Sequence, residues 1–406
     1  MPYTVLTMIM AGGKGERLAP LTLHRAKPAV PFGGQYRIID FTLSNCVNSN
    51  LRKIIVLTQY KSHSLERHLS LGWNFLNQEM GEYIMTLPPQ QRVDEHWYQG
   101  TADAIYQNIY TIEKENPQHL LVLSGDHIYK MDYTKMLAYH RRKKADATVG
   151  TIEVNIDEAS SFGIVEVDKE NTIIGFQEKP KSPKTIPGKK TKCYASMGIY
   201  IFNTEAITEI LKEDASKSSS HDFGKDVIPT MFKRSKVVAY NFHDENKKRA
   251  KYWRDVGTID AYWEANLDLA AVEPLFNLYD KNWPIRTYQG QYPPAKFVFA
   301  QEHKGGRMGV ALDSTVSGGV IISGGRVQNS VLSHDVRVNS YSEVHDSVIM
   351  ERVDIGRHCR IKRAIIDKDV KIPSGTVIGY DPEEDKKRFT VSPGGIAVVA
   401  KGQIIQ

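Results

Sequence analysis

Apolar positions in the first two thirds of the chain follow two alternating rhythms. Short, unbroken apolar or β-branched runs stand at Val5–Met10, 54–58, 120–124 and 147–153, the pattern of strands buried on both faces. Between them, Ile105, Ile109 and Ile112 recur at helical spacing within 102–115. Tyr133, Met136, Leu137 and His140 line one side of 133–144. This alternation predicts an α/β unit: a Rossmann-like, mostly parallel sheet with helices on both faces, binding its ligands at the carboxyl ends of the strands. Residues 162–202 read as short strands separated by turns. A helix over 258–272 closes the unit, and 282–294, rich in Pro, Gly, Tyr and Gln, reads as a linker. Beyond residue 295 the helical rhythm stops. Aliphatic residues now recur six apart: Val316 and Ile322, Val338 and Val344, Ile355 and Ile361, then Ile366, Ile372 and Ile378. Six-residue periodicity predicts a parallel β-helix, here of about four coils, with a β-sandwich as the alternative. The expected division is 1–275, a linker over 276–294, and a β-helix over 295–406.

Composition changes this picture little. A chain of 406 residues is too long for one ordinary core, which agrees with two domains. Apolar content of 41% and charged content of 25% suit a globular protein. No apolar run is long enough to span a bilayer, so no membrane partner is expected. The apolar start, Met1 to Met10, lacks a basic n-region and a cleavage site, and reads as a first strand rather than a signal peptide. Cys46, Cys193 and Cys359 stand far apart, which excludes a zinc spacing or a disulfide framework and fits the cytoplasm. The net charge of +6 is spread along the chain, apart from a basic stretch over 179–192. No nucleic-acid recognition module is visible, so no nucleic-acid partner is expected.

The candidate chemistry begins directly after the first strand. In Ala11-Gly12-Gly13-Lys14-Gly15-Glu16-Arg17, the glycines let the backbone turn tightly and bring N–H groups against phosphate oxygens. Arg17 can fork onto a leaving pyrophosphate, and Lys27 follows in Arg25-Ala26-Lys27-Pro28. A P-loop is excluded because Gly13-Lys14 is followed by Gly15, not Ser or Thr. A dinucleotide fingerprint is excluded because Leu18 stands where its last glycine would be. Asp126 follows the apolar strand at 120–124, and Asp255 lies in Trp253-Arg254-Asp255-Val256-Gly257. Two carboxylates with substrate phosphates suffice for Mg²⁺, although spacing alone leaves open whether they meet, and each could equally be a cap or turn residue.

Over nearly its whole length the chain resembles the bacterial glucose-1-phosphate adenylyltransferases, a family of sugar nucleotidyltransferases. The matching stretches are 11–18, 25–30, 32–45 (FGGQYRIIDFTLSN), 97–104 (WYQGTADA), 124–129, 161–165, 176–180 (FQEKP), 195–202 (ASMGIYIF), 220–229 (SHDFGKDVIP), 252–258 and 282–288 (NWPIRTY). The resemblance implies a left-handed β-helix. It also implies Mg²⁺-assisted in-line transfer of AMP from ATP to α-D-glucose 1-phosphate, giving ADP-glucose and pyrophosphate for glycogen synthesis. It puts Ala11, Gly12, Gly13, Gly15, Arg17, Gly100 and Thr101 on the nucleotide. Tyr98, Gly163, Glu178, Lys179, Ser196, Asp222 and Trp253 fall around the sugar phosphate, Asp126 and Asp255 on the metal, and Arg17, Lys27 and Asp126 at the reaction centre.

The resemblance also implies a homotetramer responsive to anionic metabolites. Family members activated by fructose 1,6-bisphosphate carry a lysine where this chain has His24. Arg25, Arg37, Lys386, Lys387 and Arg388 are the expected effector residues, gathered between the domains. Three alternatives remain at this stage: a different nucleotide or sugar, a non-catalytic regulatory subunit, and acyl transfer by the β-helix. For the last, His334, His345 and His358 show no acyltransferase motif.

Overall fold

In a computed structural model, which describes residues 4–90, 96–248 and 251–405, the unbroken apolar runs become the middle of a nine-stranded sheet. Residues 1–3 of the apolar start lie outside the described residues. Strand β1 (Val5–Met10) pairs in parallel with β2 (Lys53–Leu57) and β4 (His119–Ser124), and β2 pairs in parallel with β3 (Tyr83–Leu87). Successive residues of these strands feed opposite cores. Leu6 and Met8 join Leu120 and Val122 on one face, while Ile9 joins Leu121 and Leu123 on the other. Burial on both faces is the reason these runs carry no polar alternation. Helices α1 (Ile38–Asn48), α2 (His63–Gly72) and α5 (Tyr133–Lys143) cover the Ile9 face. Helices α3 (Thr101–Tyr106), α4 (Ile109–Glu115) and α6 (Thr204–Ala215) cover the other.

Beyond β4 the sheet is mixed. The long strand β9 (Lys192–Asn203) runs antiparallel to β4, to β6 (Ala147–Asn155) and to β7 (Gly163–Val167). Strand β7 takes β8 (Ile173–Glu178) antiparallel, and β6 takes β10 (Val237–Asn241) in parallel. The helix expected over 102–115 is two helices. The Asn108 side chain donates to the Ala104 carbonyl at 2.8 Å, a local bond that competes with the helix ladder. The helix expected over 258–272 is α7 (Ile259–Asp268), capped by Thr258.

The C-terminal region is a stack of three parallel ladders. Ile322, Val338, Ile355 and Ile372 align inward on one face, Val327, Val344, Ile361 and Ile378 on the next, and Leu332, Ile349 and Ile366 on the third. Two ladders hold five strands, one turn more than the six-residue spacing counts. The first turn is interrupted by an irregular excursion over 299–309, which hides it from the periodicity.

The outward columns explain how the two units dock. Two of them are charged: Arg337, Asp354 and Lys371, and Arg326, Glu343 and Arg360. The third is apolar: Val331, Val348, Ile365 and Val398. This column is buried in one cluster with Leu18, Leu21, Phe41 and Tyr262 of the α/β unit. The segment 276–294 has neither helix nor strand and is strapped to α1. Trp283 Nε1 donates to Asn45 Oδ1 at 2.8 Å, and Asn48 Nδ2 donates to the Pro284 carbonyl at 3.0 Å.

Candidate active site

The glycine run leaves β1 at the carboxyl edge of the sheet, and Ala11 still donates its N–H to the Leu57 carbonyl at 2.9 Å. Gly13 has open space where a Cβ would be, and Gly15 holds φ 64°, where a side chain would be strained. A Cβ on Gly15 would also stand 3.1 Å from Lys27 Cβ, so the turn packs against the lysine that follows it. Asp126 sits just past β4. Asp255 reaches it through a two-stranded pairing of β5 (His127–Tyr129) with β11 (Trp253–Asp255), in which Asp255 lies opposite His127. Sequence spacing gives no sign of this pairing, which joins segments more than a hundred residues apart.

The two carboxylates share one ammonium. Lys27 Nζ lies 2.8 Å from Asp126 Oδ2 and 2.7 Å from Asp255 Oδ1, and the Arg17 guanidinium lies 3.7 Å from Asp255 Oδ2. Ser124 Oγ donates to Asp126 Oδ1. Burial works against ionisation of Asp126, but Lys27 and His127 outweigh it and hold the carboxyl well below the usual range. Burial likewise opposes the charge on Lys27, and the two carboxylates overcome it and raise the pKa. For His127 burial dominates the pull of the carboxylates and lowers the pKa.

Asp126, His127 and Asp255 each offer one ligand atom, all within 4.8 Å of one another. A cation, the Lys27 ammonium, already stands between the two carboxylates, so the donor set fits a hard divalent ion. His127 and Gly257 were not expected from sequence. A Cβ on Gly257 would stand 2.9 Å from Asp255 Oδ1 and 3.0 Å from Arg17 Nη2. The position of His127 directly after Asp126 was the available signal for the first.

Around the residues expected at the sugar phosphate, contacts lead away from the carboxylates. The His127 ring meets Trp253 at 5.0 Å, and Trp253 meets Phe162 at 5.5 Å. Gly163 is paired with Glu178, and a Cβ on Gly163 would strike Phe176 at 2.6 Å. Ser196 lies where the β9–β6 register shifts. Gly198 beyond it takes φ 67° beside His127. Asp222 accepts N–H bonds from Gly224 and Lys225 and a hydroxyl bond from Thr101 at 3.0 Å, so it also caps its own turn. Gly100 packs where a Cβ would meet the His221 carbonyl at 2.2 Å. Tyr98 takes a hydrogen bond from Asn108 at 2.9 Å. Lys179 is solvent-exposed, with Glu178 at 3.9 Å. A cavity of about 310 Å³ opens beside Arg17, Phe162, Trp253, Asp255 and Gly257.

The expected effector residues divide. Arg25 and Arg37 line a cavity of about 640 Å³ between the two units. Lys386, Lys387 and Arg388 do not: they end a short C-terminal helix, where Lys386 pairs with Glu383 and Lys387 with Glu384. The charge of the two lysines belongs to local pairs three residues apart, and the Arg388 guanidinium lies 4.8 Å from the Phe389 ring. The cavity instead collects Arg67, Arg352, Lys368 and Lys401, which sequence reasoning did not single out, with His24 at its edge.

Residues 6–272 match the family described as nucleotidyl transferase, and residues 293–399 match the GlmU-like C-terminal hexapeptide family. The chain is 58% identical to the glucose-1-phosphate adenylyltransferase of Koribacter versatilis, covering 98% of this chain and 95% of that protein. It is 54% identical to the protein of that name from Rhodopirellula baltica, covering 100% and 92%, and 55% identical to that from Dechloromonas aromatica, covering 97% and 90%.

Proposed function

The chain belongs to the nucleotidyl transferases, among the glucose-1-phosphate adenylyltransferases, and on that premise we propose that it transfers AMP from ATP to α-D-glucose 1-phosphate, yielding ADP-glucose and pyrophosphate. The observation that carries this reading is the convergence of the glycine turn, Lys27 and the Asp126–Asp255 pair at the strand ends. Nucleotidyl transferases use a divalent metal. We assign Mg²⁺ here, held by Asp126 and Asp255, because both donors are hard oxygens. When bound, it would offset charge on the transferring and leaving phosphoryl groups.

The rest of the chemistry is positioning. A sugar phosphate is already anionic at neutral pH, so its oxygen attacks the α-phosphorus without a general base. Arg17 and the N–H groups of Gly12, Gly13 and Gly15 face the triphosphate and its departing pyrophosphate, with Ala11 anchoring the turn to the sheet. Gly100 and Thr101 border the nucleotide. Tyr98, Gly163, Glu178, Lys179, Ser196, Asp222 and Trp253 enclose the glucose 1-phosphate. The exposed Lys179 has the freedom to swing its compact charge onto the sugar phosphate.

The cavity between the units fits anionic metabolites as effectors, with Arg25, Arg37, Arg67, Arg352 and Lys368 as the receiving cations. The β-helix serves assembly into a homotetramer. No helix among the described residues is long and apolar enough to cross a membrane. A cytoplasmic setting agrees with three buried, free cysteines.

The deciding experiment is a matrix of nucleoside triphosphates against sugar 1-phosphates, read by pyrophosphate release. ATP with glucose 1-phosphate is expected to give the highest kcat/KM. A preference for UTP would overturn the named substrate, and no release with any pair would overturn the reaction.

A further inference from the structure

The lysine beside the glycine turn faces the metal carboxylates, not an open phosphate site. Its ammonium is within 2.8 Å of a carboxylate oxygen on both Asp126 and Asp255, and its side chain is only 8% exposed. Its backbone and Cβ are held in place, while the outer stem stays free to turn. The Gly15 turn packs on its Cβ, Pro28 follows it in a short helical turn, and Arg25, two residues earlier, is tied to Asp367. The ammonium therefore fills the space that a cation shared by the two carboxylates requires. A dication arriving there would meet a positive charge already at hydrogen-bond distance from both of its ligands, with Arg17 next to them.

We propose that Lys27 is the resident cation of the metal site: it holds Asp126 and Asp255 together in the ligand-free protein and excludes a divalent ion until a triphosphate draws it away. The inference rests on the metal assignment above. It makes metal and nucleotide enter together. The triphosphate offers the lysine a replacement anion, and the vacated carboxylates then accept the metal.

The test is Mn²⁺ binding to the full chain, followed by the paramagnetic signal of the free ion, with no turnover needed. Without nucleotide, the wild type is expected to bind Mn²⁺ weakly. Lys27→Met, which keeps the stem and removes the charge, is expected to bind on the order of tenfold tighter or more, because the competing cation is gone. Lys27→Arg, which keeps a cation, is expected to stay as weak as the wild type. A second measurement uses the wild type alone: an α,β-methylene analogue of ATP should strengthen Mn²⁺ binding beyond the analogue's own affinity for the ion. Equal affinity in wild type and Lys27→Met without nucleotide would overturn the proposal and leave the metal assignment standing. An absence of Mn²⁺ binding in both proteins, with and without the analogue, would overturn the assignment and the proposal together.

Discussion

Lys368 shows how a single side chain reports on the cavity between the two units. Burial and the neighbouring Arg37 and Arg25 guanidinium groups push its ammonium down to about 8, against the pull of Glu351. Its Nζ donates to Glu351 Oε2 at 2.8 Å. The direction fixes the linkage. Between about pH 8 and the ordinary value of 10.5, the lysine is largely neutral in the folded protein and charged in the unfolded chain, so stability rises with pH across that window. A bound polyanion favours the charged form. Binding of a phosphorylated metabolite at pH 8 should therefore take up roughly half a proton, lost in Lys368→Met. Calorimetry in two buffers of different ionisation enthalpy checks this, and binding without uptake counts against the cavity as the anion site. Residues of this kind were illegible in the sequence. Lys368 reads there as one more charge near the end of the chain, and only the fold of the third ladder sets it beside Arg25 and Arg37. Asp126, Asp255 and Lys27 were legible because each stands next to a turn or strand end with its own signature. Their common meeting point was not.

Among the elements, α7 ties the chemistry to the β-helix. It starts at Ile259, four residues after Asp255. Trp263 Nε1 donates to the Asp346 carbonyl at 2.9 Å, the Arg363 guanidinium lies 5.0 Å from the Trp263 ring, and Ser392 Oγ donates to Asp260 at 2.6 Å. These contacts fix the helix whose first turn follows Asp255. Trp263→Ala should therefore lower kcat with the fold retained. A displacement of Asp255 by about 1 Å costs on the order of a hundredfold in rate. Initial rates beside a circular dichroism spectrum would show it, and unchanged kcat would mean that α7 does not position Asp255. The helix itself was expected over 258–272 and ends earlier, at Asp268. The break between α3 and α4 was not, since Ile105, Ile109 and Ile112 keep helical spacing across it while Asn108 diverts a carbonyl.

At the scale of the whole molecule, the six-residue rhythm exposed the β-helix but not the outward face that it packs against the α/β unit. That face is the column Val331, Val348 and Ile365, which recurs every seventeen residues and emerges only once the coils are stacked in register. Its polar counterpart is the buried pair of Arg25 with Asp367, in which Arg25 Nη2 reaches both carboxylate oxygens at 2.8 Å and both side chains are almost wholly buried. Asp367→Ala leaves a buried guanidinium without its partner and should cost about 3–5 kcal/mol. Thermal unfolding would read this as a lower Tm. The double variant Arg25→Met with Asp367→Leu should regain much of the loss, because two apolar groups need no partner.

One buried alanine separates Arg25, paired with Asp367 of the β-helix, from Lys27, paired with Asp126 and Asp255. That spacing sets a rule for building hybrid enzymes. A foreign β-helix grafted onto this α/β unit must bring a carboxylate to the position of Asp367. Without one, the graft shifts the same short stretch of backbone that aims Lys27, so recombination at the linker would damage turnover before it altered control. Exchanges that carry residues 25–27 and the third ladder across as one block avoid that conflict.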